Sequence, residues 1–153
     1  MPKSKRSTRA GPKPKARPKP KAPSGPTPTK LTPVLYVHTI EPCLDLWVNR
    51  LGFAKTVAMP ESGPADFVIL KKGKVEVMYQ TIASVAHDIP AYAGRATGET
   101  NLFMEVANID AVERALQGLT LAVPRRKTFY GSTEVGVKDA GGNTILFAQM
   151  GGK

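Results

Sequence analysis

The sequence predicts an α+β fold: two βαβββ modules paired into a curved sheet that encloses a cup, with the helices on its outer face. Three observations predict it. Composition changes sharply at residue 30, period-2 alternation of apolar residues begins there, and the pattern of 31–80 returns over 100–150. The 153 residues hold 22 Lys+Arg against 12 Asp+Glu and a single cysteine, Cys43. A lone thiol excludes an internal disulfide framework and a Cys-based zinc site. No apolar run approaches the ~18 residues of a membrane span. The basic N-terminus is not followed by the apolar stretch of a secretory signal. A cytoplasmic protein without a membrane partner is expected.

Residues 1–30 contain ten basic side chains and no acid: Lys3, Lys5, Arg6, Arg9, Lys13, Lys15, Arg17, Lys19, Lys21 and Lys30. The other 22 − 10 = 12 basic residues balance all 12 acids over 31–153, so the net charge of +10 belongs to the tail. Eight prolines lie in the same stretch, with Met1 its one large aliphatic residue. Proline removes amide donors and interrupts helices, and a segment with so little to bury does not offset its ordering entropy. Residues 1–30 are therefore expected to be disordered. Such an arm binds nucleic acid without sequence readout, by counterion release from Lys3 through Lys21; the alternative is a solubilising extension.

In the first module, Leu31–Val37 is a β-rich run with Pro33 near its start, where an edge strand tolerates it. Pro42 suits a helix's first turn. Leu44, Leu46, Trp47, Val48 and Leu51 follow at helical spacing until Gly52 supplies a stop. Strands are expected at 53–59, 66–71 and 74–80, the last two joined through Lys72-Gly73. A linker at 81–99, with a short helix around 82–87, has the composition of a lid or a dimer contact. The second module repeats the order: a strand at 101–106, a helix opened by Asn108, then strands at 119–123, 132–138 and 143–149. Val37 and Val106, Ile40 and Ile109, and Gln80 and Gln149 are each 69 residues apart. Alternation turns Leu35, Val37, Leu102, Met104 and Val106 toward the helices. It turns Thr32, Val34, Tyr36, Asn101, Phe103 and Glu105 toward the cup.

Residues 35–53, ending in Leu51-Gly52-Phe53, and residues 128–143, ending in Gly141-Gly142-Asn143, resemble the vicinal oxygen chelate superfamily of glyoxalases, extradiol dioxygenases and bleomycin-resistance proteins. The resemblance covers 31–150 and implies the paired-module fold, a small-molecule cup and a homodimer. Metal-dependent members of that superfamily place four His, Gln or Glu ligands on the first and last strands of each module. Carried over, those positions are Thr32, Glu76, Asn101 and Leu146. One carboxylate beside a leucine is too poor a donor set for an open metal site, so no metal and no other cofactor is expected. Neither His38 nor His87 stands at a ligand position.

The cup is then expected to hold Tyr36, Phe103, Glu76, Glu105 and Glu134. Carboxylates beside aromatic walls attract a cationic or flat ligand. That combination resembles the bleomycin-resistance branch and points to metal-free sequestration of a small molecule. The alternatives are a lyase, isomerase or dioxygenase built on Glu76, or a nucleic-acid-associated protein acting through its tail. For Glu134, ion pairing with Arg125, Arg126 or Lys127 is the competing assignment. Trp47 and Cys43 read as core.

Overall fold

The computed structural model describes residues 11–13, 15–21 and 24–152. Residues 1–30 and 31–153 form separate units. Of the candidate polyanion contacts, Lys3, Lys5, Arg6 and Arg9 lie outside the described residues. Lys13, Lys15, Arg17, Lys19 and Lys21 lie on exposed chain that is neither helix nor strand.

The unit 31–153 contains two βαβββ modules. The first runs β1 (Val34–Val37), α1 (Glu41–Leu44), which continues as a π-helical segment (Asp45–Arg50), β2 (Ala54–Met59), β3 (Phe67–Lys72) and β4 (Val75–Thr81). A connection with α2 (Ile82–Asp88) and a single 3-10 turn (Pro90–Tyr92) leads to the second. That module runs β5 (Asn101–Glu105), α3 (Ile109–Ala115), β6 (Leu121–Lys127), β7 (Thr133–Lys138) and β8 (Thr144–Gln149). Each module is a four-stranded mixed sheet, ordered β1-β4-β3-β2 and β5-β8-β7-β6. The first strand of each lies parallel to the last, and the other pairs are antiparallel.

The two modules expected from the sequence are each a four-stranded sheet, and among the described residues no strand ladder joins them. A common core joins them instead. Leu35, Val37, Val68, Leu70, Val77 and Tyr79 from the first sheet cluster with Val135, Val137, Ile145 and Phe147 from the second. Ile40, Leu46, Trp47, Ile109, Val112 and Leu116 belong to the same cluster. The apolar stripes of both helical segments are thus buried inside one core, where burial stabilises them more than their short length does.

A buried polar relay crosses the same junction. Trp47 Nε1 donates to the Tyr79 hydroxyl at 2.8 Å, and that hydroxyl donates to Asp139 Oδ2 at 2.5 Å. Asp139 also accepts from the backbone and side-chain nitrogens of Asn143. Every buried side-chain polar atom among the described residues has a partner, as interiors require. Gly141 allows the close approach: a Cβ there would stand 2.5 Å from Val37 Cγ1. Arg50 completes the junction by donating to the carbonyls of Ala115 and Gln117 at the end of α3.

One strand departs from the expected boundaries. β6 runs on through Pro124 to Lys127, beyond the 119–123 expected from sequence. It is an edge strand, and its register breaks on either side of Val123, so the missing amide of Pro124 costs no ladder bond.

Candidate functional site

Strand register settles the faces. In the first sheet Tyr36 lies opposite Gln80, Gln80 opposite Phe67, and Phe67 opposite Met59. These side chains share the face away from the core, with Val34, Met78, Ile69 and Val57 as the next row. In the second sheet Glu105, Ala148, Glu134 and Arg126 form one row, and Phe103, Leu146, Gly136 and Val123 the next. Leu35, Val37, Leu102, Met104 and Val106 all turn to the core, as alternation required.

The 69-residue spacing holds from β1 to the first helix and slips by one afterwards. Thr81 pairs with Val37, and β5 read on by one residue places Gln149 beside Val106. The counterpart of Gln149 is therefore Thr81 and not Gln80. Their side chains do the same work: Thr81 Oγ1 accepts from Ser84 N–H at the start of α2, and Gln149 Oε1 accepts from Ile109 N–H at the start of α3.

The expected cup residues divide into three groups. Glu76, Asn101, Phe103 and Glu105 line one groove of about 480 Å³, with Leu31, Pro33, Trp47 and Lys74–Val77 on its other wall and Leu102 and Met104 beneath. Thr32 stands at its edge and donates to Glu76 Oε1 at 3.2 Å. Phe103 is 52 % exposed and presents its ring at the groove. Tyr36 is placed elsewhere. It packs edge-on against Tyr92, with ring centroids 6.0 Å apart, and Arg95 lies over the Tyr92 ring at 4.3 Å. The connection between the modules thus reaches over the first sheet's open face.

Glu134 is withdrawn from the groove. Its side chain is 0 % exposed and accepts from Arg126 Nη2 at 2.8 Å, from the Ser132 hydroxyl at 2.9 Å, and from the Tyr130 hydroxyl. The Tyr130 hydroxyl first, then Arg126 and Ser132, hold its carboxyl below the usual carboxylate range despite burial. It is a structural ion pair, the competing assignment for this residue. Cys43 is fully buried, and burial first, then Asp139, pushes its thiol up to about 12. A thiol so raised is an inert packing group.

The carried-over metal positions fail as a donor set. Thr32 lies beside Glu76, whereas Asn101 pairs with Thr144, and Leu146 pairs with Phe103. Leu146 is two residues along its strand from the place equivalent to Glu76 and offers no donor atom. Among the described residues, no cluster of three or more His, Cys, Asp or Glu side chains could hold a metal ion. The residues present do not fit a metal.

Sequence reasoning missed two features. The Trp47–Tyr79–Asp139 relay joins residues 32 and 60 positions apart, and a one-dimensional pattern carries no signal for it. The groove runs along a strand edge, which alternation alone does not locate.

Two four-stranded βαβββ sheets on a shared core define the vicinal oxygen chelate fold, and solved structures that resemble this chain include glyoxalase, bleomycin-resistance and dioxygenase superfamily proteins. A glyoxalase/bleomycin resistance protein/dioxygenase from Nocardioides matches with TM-score 0.66 and 12% identity, covering 84% of this chain and 87% of that one. A lactoylglutathione lyase from Agrobacterium tumefaciens matches with TM-score 0.64 and 14% identity, over 80% of this chain and 94% of that one. The bleomycin-binding protein of bleomycin-producing Streptomyces verticillus, solved with copper(II)-bleomycin, matches with TM-score 0.56 and 22% identity, over 84% and 100%. At these identities the likeness is one of fold. No protein-family model and no curated protein matches the chain. Among the described residues, no helix is long and apolar enough to cross a membrane.

Proposed function

We propose that this protein binds and sequesters a small cationic or aromatic molecule in the groove between its modules, without a metal. The observation that carries the reading is the convergence of Glu76, Glu105 and Phe103, from two modules, on one groove with an apolar floor. Carboxylates supply attraction for a positive charge, and an exposed phenyl face supplies stacking. The Streptomyces verticillus neighbour, a bleomycin-binding protein solved with copper(II)-bleomycin, supports the reading by its fold. The donor set argues against a metal-dependent lyase or dioxygenase, because Glu76 stands without a second strong ligand at the carried-over positions.

The test is thermal denaturation with bleomycin and with propidium, an aromatic dication, as probes. The melting temperature should rise by a few degrees in the wild type, and the rise should fall by at least half in Glu105→Gln and in Glu76→Gln. A rise that neither substitution alters would overturn the groove assignment. Titration with nickel, zinc and manganese should show no stoichiometric uptake, and one tight equivalent would revive the metal reading.

Two further properties belong to the proposal. The exposed apolar side chains Val34, Val57 and Met59 on the first sheet's open face favour a homodimer, to be read by light scattering. The ten uncompensated basic residues of the tail favour a separate, non-specific hold on nucleic acid. Deleting residues 1–30 should abolish retention on heparin at low salt; unchanged retention defeats that part.

A further inference from the structure

A second cavity lies where the two modules meet, a crevice of about 380 Å³ lined by residues of both. It shares Val75 and Met104 with the carboxylate groove and no other residue. Phe53 of the first module and Val112 and Phe147 of the second are its most buried lining residues, each at most 9 % exposed. Leu51 and Val106 are half-buried beside them. Close-packed interiors leave few voids of this size, whereas sites for small molecules run from roughly 300 to 1,000 Å³.

The lining is apolar apart from Lys72 and Asn108, and no acidic residue belongs to it. Lys72 Nζ donates to the Leu51 carbonyl at 2.6 Å. A Cβ on Gly52 would stand 3.3 Å from the same Nζ, so glycine keeps that space for the ammonium. One of its three N–H groups is thus engaged and two are left. Among the described residues, no carboxylate forms an ion pair with Lys72. Asn108 gives its side-chain oxygen to the Ala111 N–H at 3.0 Å, capping α3, which leaves its amide N–H groups as donors. An ammonium with no counter-charge, beside an apolar crevice whose other polar group is also a donor, is complementary to an anion carried on an apolar body.

We infer that this crevice is a second binding site, for a small amphiphilic monoanion of the medium-chain carboxylate class. The ammonium of Lys72 meets the carboxylate head, and the Asn108 amide adds a second donor. The apolar body lies against Phe53, Val112 and Phe147, where it leaves water. The site goes beyond the carboxylate groove and is opposite to it in charge: Glu76 and Glu105 take no part in it.

The experiment titrates the full chain by calorimetry with sodium octanoate at millimolar concentration, and with 1-octanol, which has the same chain and no charge. Lys72→Met should weaken octanoate binding roughly tenfold, the loss of one hydrogen bond to a charged group, and leave 1-octanol binding unchanged. Lys71→Met, the same change in net charge one residue away, should alter octanoate binding by no more than about twofold. In methyl NMR spectra of the wild type, octanoate should move the signals of Leu51, Val106 and Val112. The signals of Val57, on the first sheet's open face, should stay in place. Those spectra decide the matter if Lys72→Met does not fold. A wild type that ignores octanoate overturns the proposal, as do equal losses in Lys72→Met and Lys71→Met. So does a Lys72→Met protein that loses 1-octanol as fully as octanoate, because the ammonium then does not read the head. Methyl shifts centred on Val57 place the amphiphile on the open face and overturn it as well.

Discussion

Along the first sheet's open face the cross-strand rows run Thr32–Glu76–Lys71, then Val34–Met78–Ile69–Val57, then Tyr36–Gln80–Phe67–Met59. The second sheet has the same ladder order, and its matching rows are Asn101–Thr144–Lys138, Phe103–Leu146–Gly136–Val123 and Glu105–Ala148–Glu134–Arg126. The backbone frame is repeated and its contents are not. Where the first sheet places Phe67 beside Gln80, the second buries Glu134 beside Ala148. Small residues at 136 and 148 leave room for a carboxylate, and Arg126, Tyr130 and Ser132 close over it. Glu105, in the same row, lies on the edge strand β5 itself and stays exposed. Two carboxylates of one row therefore differ in role: one is locked into the fold, the other stays exposed. The deciding variable is what the neighbouring strand supplies, a charged partner or none.

The largest test of this comparison strikes what the two modules share. Tyr79→Phe leaves the Trp47 N–H without its buried partner and removes one of the two hydrogen bonds to Asp139 Oδ2, which keeps the Asn143 side-chain nitrogen. An unsatisfied buried donor costs about 1–3 kcal/mol and a lost hydrogen bond to a charged group about 1.5–3 kcal/mol, so the variant should lose about 3 kcal/mol in urea denaturation. A single transition must persist; a loss under 1 kcal/mol would mean that the relay does not bind the modules together.

Next comes the asymmetry itself. Glu134→Gln should cost about 2 kcal/mol, against a change within about 0.5 kcal/mol for Glu105→Gln. Equal costs would erase the distinction between the locked and the open acid. The pH dependence has a definite sign. The folded carboxyl of Glu134 lies below its ordinary value of 4.5, so the unfolded chain takes up its proton first as pH falls. The stability from Glu134 is complete above that ordinary value and is lost as pH drops through the lower folded value. The gap between wild type and Glu134→Gln should therefore be flat at neutral pH and narrow below about 4.5. A gap that widens on acidification contradicts the assignment.

The smallest effect is a rate. With its thiol raised to about 12 and no exposure, Cys43 should resist a disulfide reagent at pH 8 and react only as fast as the domain opens. Rapid labelling of the native protein would place Cys43 outside the shared core.

Much of this frame was legible in the residues. Period-2 alternation sorted Leu35 and Val37 from Val34 and Tyr36, because a pleated strand places successive side chains on opposite faces. Pro42, Gly52 and Asn108 marked helix boundaries through backbone geometry that is local to each residue. The repeat was visible at Val37 and Val106, and at Ile40 and Ile109. It misled at Gln80 and Gln149: one residue fewer in the second module shifts the register, and only the ladder shows which side chain took the capping role. The site was half legible. Glu76, Phe103 and Glu105 do share a groove, but Tyr36 went to Tyr92 and Glu134 to Arg126, since each of those partners is a separate element that packing brings up.

Local patterning along the chain was enough for the two modules, their strand faces and the separate basic tail. These depend on spacing and residue type alone. Long-range packing alone decided that the sheets stay separate over a common core, that Tyr79 and Asp139 bridge the modules, that Glu134 is locked, and that the groove lies along the β5 edge. Each of those depends on which distant surfaces meet, and the free energy of such contacts is set by burial and partner geometry that no local pattern encodes.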